Sequence, residues 1–293
     1  MIVLFPSGFY NINKVDEDLQ EEYQAVISTG LFDVILFDYE SWFQKGKVVL
    51  NRNLLSRRMA IYRGWMMKVE QYREFYNQLM KNNIILLTSP DQYKRFHIFP
   101  NIYPELKCDT APILTFPKGE NVDLHKIKKY FKRFMVKDFV KSVKGTEFPQ
   151  YFDSKISEAD FAKWMQVFYK YRGDLFTGGI CIKEYLELAR DGNKTNEYRV
   201  FYGNGEIISI CANAGQGDNL PKPPRKLIEK YQGLNSPYYT IDFAQLKNGE
   251  WKIIEAGDGG VSGLSIGQDY EAYFRALFYC FAEVGEEGVI CRR

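Results

Sequence analysis

The stretch that decides the fold is Tyr239-Thr-Ile-Asp-Phe-Ala-Gln-Leu-Lys-Asn-Gly-Glu-Trp-Lys-Ile-Ile-Glu-Ala-Gly-Asp-Gly-Gly-Val-Ser-Gly-Leu264. Two apolar strands flank the dipeptide Asn248-Gly249, which is typical of a hairpin turn. Asp242 lies inside the first strand, Glu255 near the end of the second, and Asp258 in the Gly-rich segment that follows. Because buried carboxylates are costly without partners, acids at these positions indicate a bound cation.

The turn also predicts the register of the hairpin. If Leu246 pairs with Trp251, Asp242 falls opposite Glu255. Like charges directly opposite each other repel, and a divalent cation is the usual remedy. Oxygen ligands that leave room for phosphates favour Mg²⁺. The alternative is that the two acids pair with basic residues at a sheet edge.

The N-terminal part of the chain alternates strands and helices. Strands are predicted at 2–5, 34–37, 59–62 and 84–87, helices over 16–29 and 66–82, and a hairpin-like piece over 46–50. Strands separated by helices predict a parallel sheet and hence a small α/β domain. Pro112 and Pro117-Lys118-Gly119 mark its end.

Strands dominate the remainder of the chain. A basic helix (122–132), a strand (133–140) and a helix (158–171) precede strands at 180–186, 197–202, 206–212, 238–247 and 251–256 and a final helix over 268–284. Asn204-Gly205 and Asn248-Gly249 are two-residue hairpin turns, so this sheet is at least partly antiparallel. The Gly/Pro-rich stretch 213–224 is predicted to be a mobile loop.

Length and charge narrow the possible classes of protein. The 293 residues are enough for two domains or for one domain with subdomains. The formal charge of +2 gives no overall preference for a polyanion. A local basic cluster consists of Lys126, Lys128, Lys129, Lys132, Arg133, Lys137, Lys141 and Lys144. It is either a nucleic-acid surface or a solvated helix face that leads into a phosphate-binding strand.

The cysteines and the N-terminus predict the compartment. The five cysteines, at 108, 181, 211, 280 and 291, include no Cys-x-x-Cys pair and have no histidine at metal-ligand spacing. Their odd number and the apolar surroundings of 181, 211 and 280 predict buried thiols in a reducing compartment. The apolar N-terminal run has no basic lead, and no segment is long enough to span a bilayer. We therefore expect a cytoplasmic protein that does not enter the membrane.

Basic residues interrupt two of the predicted strands. Lys137 lies in an apolar strand, and Lys141 and Lys144 lie near the loop after it, within reach of phosphates. Alternatively, all three lysines point to solvent. Arg199 is flanked by apolar residues, where a guanidinium requires a carboxylate or a phosphate. No Walker-type loop and no dinucleotide-binding glycine motif is present, so a nucleotide must be bound in another way.

The N-terminal domain contains a candidate substrate site. Arg63 ends a strand and precedes a glycine, and open α/β sheets bind ligands beyond the carboxyl ends of their strands. Arg63 would hold a substrate carboxylate in a pocket that Trp65, Tyr93 and His97 also line. The alternative is a structural Arg63 that caps a helix or pairs with Asp38 or Glu40, beside an equally structural His97.

The order of these pieces along the chain resembles that of the ATP-grasp superfamily. A strand lysine is followed by a strand with Lys-Glu-Tyr-Leu, then Glu-Tyr-Arg, an Asp strand, and a Glu strand with a third acid nearby. Several segments more closely resemble the ATP-grasp clade named for a pair of arginines and a lysine. They are Arg63-Gly-Trp65, Tyr93 to His97, Val136-Lys-Asp-Phe-Val-Lys-Ser142, Glu197-Tyr-Arg-Val-Phe201 and Glu255 to Leu264.

This resemblance covers nearly the whole chain and implies its fold. Two α+β subdomains of the ATP-grasp fold would clamp ATP behind an N-terminal α/β pre-ATP-grasp domain. The corresponding boundaries are 1–118 for the N-terminal domain, 119–178 for the first subdomain and 179–293 for the second. The implied activity is an ATP- and Mg²⁺-dependent ligase that activates a carboxylate as an acyl-phosphate for attack by an amine. The substrates would be small molecules, peptides or proteins.

The resemblance also assigns roles to individual residues. Lys137 and Lys183 would contact phosphates or adenine, and Arg199 would hold the γ-phosphate and the developing acyl-phosphate. Glu184, Tyr185 and Leu186 would form the adenine-binding connector, and Asp242, Glu255 and Asp258 would ligate one or two Mg²⁺ ions. Many ATP-grasp enzymes have Glu-x-Asn where this chain has Glu255-Ala-Gly-Asp258, so Asp258 has one extra residue of spacing. Independently of the resemblance, Ser262 and Gly263 follow the metal strand and are expected to approach the acceptor.

Two other functions are compatible with the same motifs. The first is a kinase-like phosphotransferase that uses the same metal hairpin. The second is a nucleotide-binding module without turnover, which would use the basic segment 126–144 to bind nucleic acid. Because phosphoryl transfer depends on charge neutralisation and positioning, the lack of a Ser-His-Asp or Cys-His grouping excludes neither the ligase nor the kinase.

Overall fold

The N-terminal sheet is parallel, as predicted, in the computed structural model, which describes residues 1–217 and 219–282. Its elements are β1 (Ile2–Gly8), β2 (Asn11–Val15), α1 (Gln20–Thr29), β3 (Asp33–Phe37), α2 (Tyr39–Lys45), β4 (Arg58–Tyr62), α3 (Val69–Lys81) and β5 (Ile84–Leu86). β1 pairs in parallel with β3 and β4, and β4 pairs in parallel with β5. β2 is antiparallel to the end of β1.

Local signals explain where these helices begin and end. α1 ends at Gly30, whose φ of 67° suits a glycine after a helix. Asp38 caps α2, because its carboxylate accepts a hydrogen bond from the N–H of Ser41 at 2.6 Å. The hairpin predicted over 46–50 is wrong: α2 occupies the preceding residues, and Leu50 makes only an isolated bridge to Phe37.

Two helices that the sequence pattern did not predict connect the N-terminal domain to the rest. They are α4 (Pro90–His97) and α5 (Phe99–Leu106). α4 begins with a capping box between Ser89 and Gln92, and Pro90 occupies its first position. Phe96 and Phe99 are buried in a core that they share with the C-terminal sheet. The connecting helices therefore form the floor beneath the sheet that carries the acids.

The central part of the chain forms a four-stranded antiparallel sheet with the order β6-β9-β7-β8. Its elements are β6 (Ile113–Pro117), α6 (Leu124–Tyr130), β7 (Arg133–Asp138), β8 (Phe152–Asp153), α7 (Glu158–Arg172) and β9 (Gly179–Glu184). One face packs Phe134, Val136 and Ile182 against the helices, and Lys137 and Lys183 lie on the other face. Because β6 and β9 pair with the same sheet, we propose that the first subdomain extends beyond 119–178 to include both strands.

The C-terminal part forms a second antiparallel sheet, with the order β13-β12-β14-β15. Its elements are β10 (Arg190–Asp191), β11 (Lys194–Thr195), β12 (Glu197–Gly203), β13 (Glu206–Ala212), α8 (Arg225–Glu229), β14 (Tyr238–Gln245), β15 (Trp251–Asp258) and α9 (Tyr270–Ala282). The predicted turn at Asn204-Gly205 is confirmed, since both residues have positive φ and Gly203 pairs with Glu206. The final helix begins at Tyr270, and the predicted residues 283–284 lie outside the described part.

The two antiparallel sheets meet at β15. The hydroxyl of Thr110 donates to the carbonyl of Ile253 at 2.7 Å, and the Lys183 ammonium donates to the carbonyl of Ile254 at 2.8 Å. On the other side, α9 packs against α1 and β13, and its Phe274 shares a buried core with Phe5 of β1. Within residues 1–217 and 219–282, every helix is too short or too polar to cross a membrane.

Candidate active site

The predicted acid pair is present on the C-terminal sheet. Asp242 of β14 pairs with Glu255 of β15 in the antiparallel ladder. Paired residues of such a ladder project from the same face of the sheet, so the two carboxylates lie side by side. The expectation that they face each other is confirmed.

A β-bulge at Ile254 produces this pairing. The turn brings Gln245 opposite Trp251, one position away from the predicted pairing of Leu246 with Trp251. In a regular ladder from that turn, Asp242 would face Ile254, and Glu255 would point into the core. The ladder instead skips Ile254 between Asp242 and Phe243, which returns Glu255 to the active face. The predicted turn register is therefore wrong, although the predicted acid pair is right.

Asp258 does not join the other two acids, which corrects its prediction as a metal ligand. It is three residues beyond Glu255, and its ladder partner Tyr239 points into the core, so Asp258 lies on the opposite face. Its side chain is buried and caps the short 3₁₀ turn over 259–261 by accepting the N–H of Gly260 at 2.9 Å. Burial raises the pKa of Asp258 to about 7, and the opposing hydrogen bonds from Gly260 and Thr88 only partly offset this effect.

Four cations surround the carboxylate of Glu255. Burial by itself would raise the pKa of Glu255, but the charges of Lys137, Lys141, Lys144 and Arg199 lower it to about 2. The Lys137 ammonium lies 3.8 Å from Oε1 of Glu255. So many positive charges around one carboxylate exceed what that carboxylate can neutralise. This surplus of positive charge is suited to a polyanion such as a triphosphate.

Arg199 of β12 holds the other acid. Its Nε and Nη2 donate to the two carboxylate oxygens of Asp242 at 2.8 and 2.7 Å, and its Nη1 donates to the carbonyl of Gly263 at 2.9 Å. Arg199 and Asp242 are ladder partners, which places the bidentate pair directly beside Glu255. The alternative that the acids pair with basic residues is therefore part of the observed geometry. Asp242 pairs with Arg199 inside the sheet, and Glu255, on the edge strand β15, lies near Lys137.

Lys183 of β9 is buried between the two sheets. Its ammonium donates to the Ile254 carbonyl and lies 4.4 Å from the centre of the Phe99 ring. Burial, and secondarily the charge of Lys137, lowers the pKa of Lys183 to about 7. The lysine therefore has its proton only partly at neutral pH, and an added phosphate would favour the charged form.

The predicted adenine connector follows β9. The N–H of Glu184 already donates to Pro112, and the N–H of Tyr185 already donates to Arg133. These two N–H groups are therefore not available to an adenine base, and only the other backbone groups of the connector could bind it. The Tyr185 ring stacks on Tyr151 at 4.2 Å, and the guanidinium of Arg133 lies over both rings. Glu184 ends β9 and Tyr185 and Leu186 follow it, and their role toward adenine stays a prediction.

Arg63 is structural, which corrects its prediction as a substrate ligand. Its Nε and Nη2 donate to the two carboxylate oxygens of Glu22 at 2.8 and 2.7 Å. Its Nη1 donates to the carbonyls of Gly259 and Ser262 and to the Tyr238 hydroxyl. The side chain is fully buried, so it offers no donor to a substrate carboxylate. Its acidic partner is neither of the two that the sequence suggested, Asp38 and Glu40.

Three other predicted substrate residues occupy different positions. Trp65 is partly exposed beyond β4 and donates to Asp16 at 3.2 Å. His97 stacks on the buried ring of Tyr93, and burial, with the charge of Lys141, lowers its pKa to about 4. It is therefore neutral at physiological pH. The hydroxyl of Ser262 donates to the Asp258 carbonyl at 2.8 Å, and its role toward an acceptor stays a prediction.

A cavity of about 270 Å³ opens in front of the Arg199–Asp242 pair. Its other lining residues are Glu197, Tyr198, Asn213, Ala214 and the segment 263–266. Glu197 was not among the predicted site residues, although it lies two residues before Arg199 and alternation places both on one face of β12. The loop segment 263–266 has no comparable periodic signal.

The acid pair fits a Mg²⁺ ion that arrives with a nucleotide. Among residues 1–217 and 219–282, no group of three or more acidic, cysteine or histidine side chains could enclose a metal ion. Mg²⁺ commonly binds through one or two carboxylates together with substrate phosphates and water. Asp242 and Glu255 meet this minimal requirement, and the surrounding lysines provide charge for the phosphates.

Comparison with solved structures identifies the fold. The chain superposes on the ATP-grasp ligase PsnB complexed with minimal precursor, with a TM-score of 0.61, 10% identity and coverage of 95% of this chain and 98% of that one. For D-cycloserine synthetase DcsG the TM-score is 0.60 and the identity 12%, with coverage of 94% of this chain and 98% of that one. For D-alanyl-alanine synthetase A from Vibrio cholerae the TM-score is 0.58 and the identity 12%, with coverage of 96% of this chain and 98% of that one. The predicted ATP-grasp fold is therefore confirmed.

Comparison with protein families identifies the family. Residues 125–277 match the ATP-grasp domain of family 3 in the clade named for two arginines and a lysine, and this match spans more than half of the chain. The chain therefore belongs to this family, and the resemblance found in its sequence is confirmed. No sequence of a curated protein matches the chain significantly.

Proposed function

We propose that the protein is an ATP- and Mg²⁺-dependent ligase that forms a C–N bond between a carboxylate and an amine. The observation that carries the proposal is the ionised Glu255 among four cations, beside an Asp242 that Arg199 holds in place. A site built from charge and fixed geometry suits phosphoryl transfer, which requires little covalent participation by the protein. The ATP-grasp ligases with the same fold support the choice of reaction.

The residues around Glu255 divide the work of binding ATP. Lys137, Lys141, Lys144 and Lys183 would neutralise the phosphates, and the connector 184–186 would hold the adenine. Asp242 and Glu255 would hold Mg²⁺, which when bound offsets negative charge on the phosphate oxygens. Arg199 would bind a γ-phosphate oxygen through Nη1, which donates to the Gly263 carbonyl, while Nε and Nη2 keep their contacts with Asp242.

In the proposed reaction, a substrate carboxylate oxygen attacks the γ-phosphorus of ATP, and ADP leaves. The acyl-phosphate then reacts with an amine, which forms the amide, expels inorganic phosphate and loses a proton to solvent. Arg199 would stabilise the negative charge on the transferred phosphoryl group. The cavity in front of it, lined by Glu197 and the segment 263–266, is where the carboxylate and the amine would meet.

Amino acids and peptides are the proposed substrate class. The support is the structural relatives, which include a ligase complexed with a precursor peptide and a D-alanyl-alanine synthetase. The basic cluster offers less support for nucleic acid, because Lys137, Lys141 and Lys144 act on Glu255. Lys128 donates to the backbone carbonyl of Ile156, so the cluster is not one outward face.

Single-turnover reactions with ATP, Mg²⁺ and a panel of amino acids and peptides test the proposal. ADP together with an amide product supports a ligase, whereas ADP with a stable phosphorylated product identifies a phosphotransferase. The variant with both Asp242→Asn and Glu255→Gln serves as the control. If that variant bound Mg²⁺ and ATP as tightly as the unmodified chain, the assignment of the metal site would be refuted.

A further inference from the structure

A further acid, Asp138, lies next to the lysines of the site. It is the last residue of β7, directly after Lys137, and it is completely buried. A buried carboxylate is stable only when hydrogen bonds or charges compensate it. The contacts of Asp138 therefore show what its burial serves.

One oxygen of Asp138 fixes the turn that carries Lys141. Oδ1 accepts hydrogen bonds from the N–H groups of Val140 and Lys141 at 2.7 and 2.6 Å. In return, the N–H of Asp138 donates to the carbonyl of Lys141 at 2.9 Å. An aspartate that binds the backbone two and three residues ahead closes a tight turn and restricts its conformation.

The other oxygen attaches this turn to α7. Oδ2 accepts from Nε of Arg172 at 2.7 Å and from the N–H of Thr177 at 3.3 Å. Arg172 is the last residue of α7, and its Nη2 also donates to the carbonyl of Leu175 at 2.9 Å. Only 13% of the Arg172 side chain is exposed, and none of the Asp138 side chain. A charge-assisted contact with this little solvent is strong and directional.

The turn lies beside the acid pair. The N–H of Phe99 donates to the carbonyl of Phe139 in the turn at 2.9 Å, and the Phe99 ring lies 5.9 Å from the ammonium of Lys137, which is itself 3.8 Å from Oε1 of Glu255. An isolated bridge between Lys137 and Ser142 directs the chain after the turn back along β7. A flexible lysine on a free loop would lose conformational entropy on binding an anion, whereas a lysine on a fixed turn loses less.

We propose that Asp138, held by Arg172, is a positioning residue that aims Lys141 at the triphosphate of ATP. The proposal rests on the proposed function in one respect, namely that ATP is the ligand. Asp138 does not touch the nucleotide, because all its oxygen contacts are made to the turn, to Arg172 and to Thr177. It acts through Lys141, so its effect depends on the presence of that lysine.

A double-mutant cycle tests this dependence. Binding of a non-hydrolysable ATP analogue with Mg²⁺ is measured by calorimetry for the full chain, Asp138→Asn, Lys141→Met and the double variant. We expect Asp138→Asn to weaken binding at least about tenfold when Lys141 is present, and less than about twofold when it is replaced. A purely structural role would weaken binding by the same factor in both backgrounds.

Asp153→Asn is the matched control. Asp153 closes a similar turn on the same sheet by accepting a hydrogen bond from the N–H of Lys155 at 2.8 Å. Its substitution by asparagine should leave the affinity for the analogue unchanged. Equal weakening by Asp138→Asn in both backgrounds, or none in either, would overturn the proposal. If Asp138→Asn does not fold, Arg172→Lys takes its place in the same cycle with the same expectation. Failure of the unmodified chain to bind the analogue would overturn the proposed function together with this inference.

Discussion

Replacing Arg63 by methionine should destabilise the protein by about 3–5 kcal/mol, the usual cost of removing one partner of a buried ion pair. The guanidinium and the Glu22 carboxylate are 2% and 8% exposed, so water cannot replace the lost contact. The variant leaves Glu22 buried without its cation and leaves the carbonyls of Gly259 and Ser262 without a donor. This loss is a large share of the roughly 5–15 kcal/mol that stabilise an ordinary domain.

Urea and thermal unfolding, followed by circular dichroism, measure the effect. Arg73→Met is the matched control, because the Arg73–Asp91 pair is equally short at 2.8 Å but 50% and 85% exposed. Exposed pairs contribute at most about 1 kcal/mol. Adding Glu22→Gln to Arg63→Met should recover part of the loss, since it removes the uncompensated charge. Equal destabilisation by Arg63→Met and Arg73→Met would refute the assignment of Arg63 as a buried structural link.

Two further predictions concern the acids and the buried lysine. The Glu255→Gln variant should bind an ATP analogue without metal at least as tightly as the unmodified chain, because the substitution removes a negative charge. The factor by which Mg²⁺ increases the affinity for the analogue should be at least about tenfold smaller in this variant. Measured by the same calorimetric titration, the affinity of the Asp258→Asn variant should stay within about twofold of that of the unmodified chain. Equal effects of the two substitutions would contradict the placement of Glu255 and Asp258 on opposite faces of the sheet. The pKa of Lys183 is lowered from 10.5 to about 7, so the unfolded chain binds more protons in that interval and stability rises with pH there. Between about pH 7 and about pH 9.5, the unmodified chain should therefore gain about 3 kcal/mol relative to Lys183→Met in urea unfolding, and parallel pH curves would exclude the shift.

The acid pair could be predicted from the sequence because the turn and the two strands of a hairpin are neighbours along the chain. Asp242 and Glu255 lie at similar distances from one turn, and apolar flanks identify both strands. The bulge at Ile254 was not predictable, since nothing in its side chain distinguishes a skipped position from a paired one. The opposite orientation of Asp258 was accessible from strand alternation, but the Gly-rich segment suggests a turn, whereas β15 extends to Asp258.

Tertiary contacts account for the other differences. The sequence neighbours of Arg63 mark a strand end and so suggest a substrate ligand, but its partner Glu22 is 41 residues away and on a helix. α4 and α5 were missed, although Ser89 and Gln92 form a capping box, because Pro100 and Pro104 interrupt the apolar pattern. The ion pair between Asp138 and Arg172 spans 34 residues; Asp138 belongs to the segment Val136 to Ser142, but nothing in the sequence marks Arg172 as its partner.

The bulge at Ile254 has a consequence for how the hairpin tolerates change. The bulge adds one unpaired residue to the ladder. A turn that is changed by one residue can therefore be accommodated by losing or keeping that bulged residue. Glu255 would then remain opposite Asp242 while the turn over 246–250 varies among relatives or is shortened by design. The same bulged residue supplies the carbonyl that Lys183 binds, so a hairpin shortened at 254 would keep its acids and release the lysine. Variation in loop length and the protonation of a buried amine are thus linked at one backbone position.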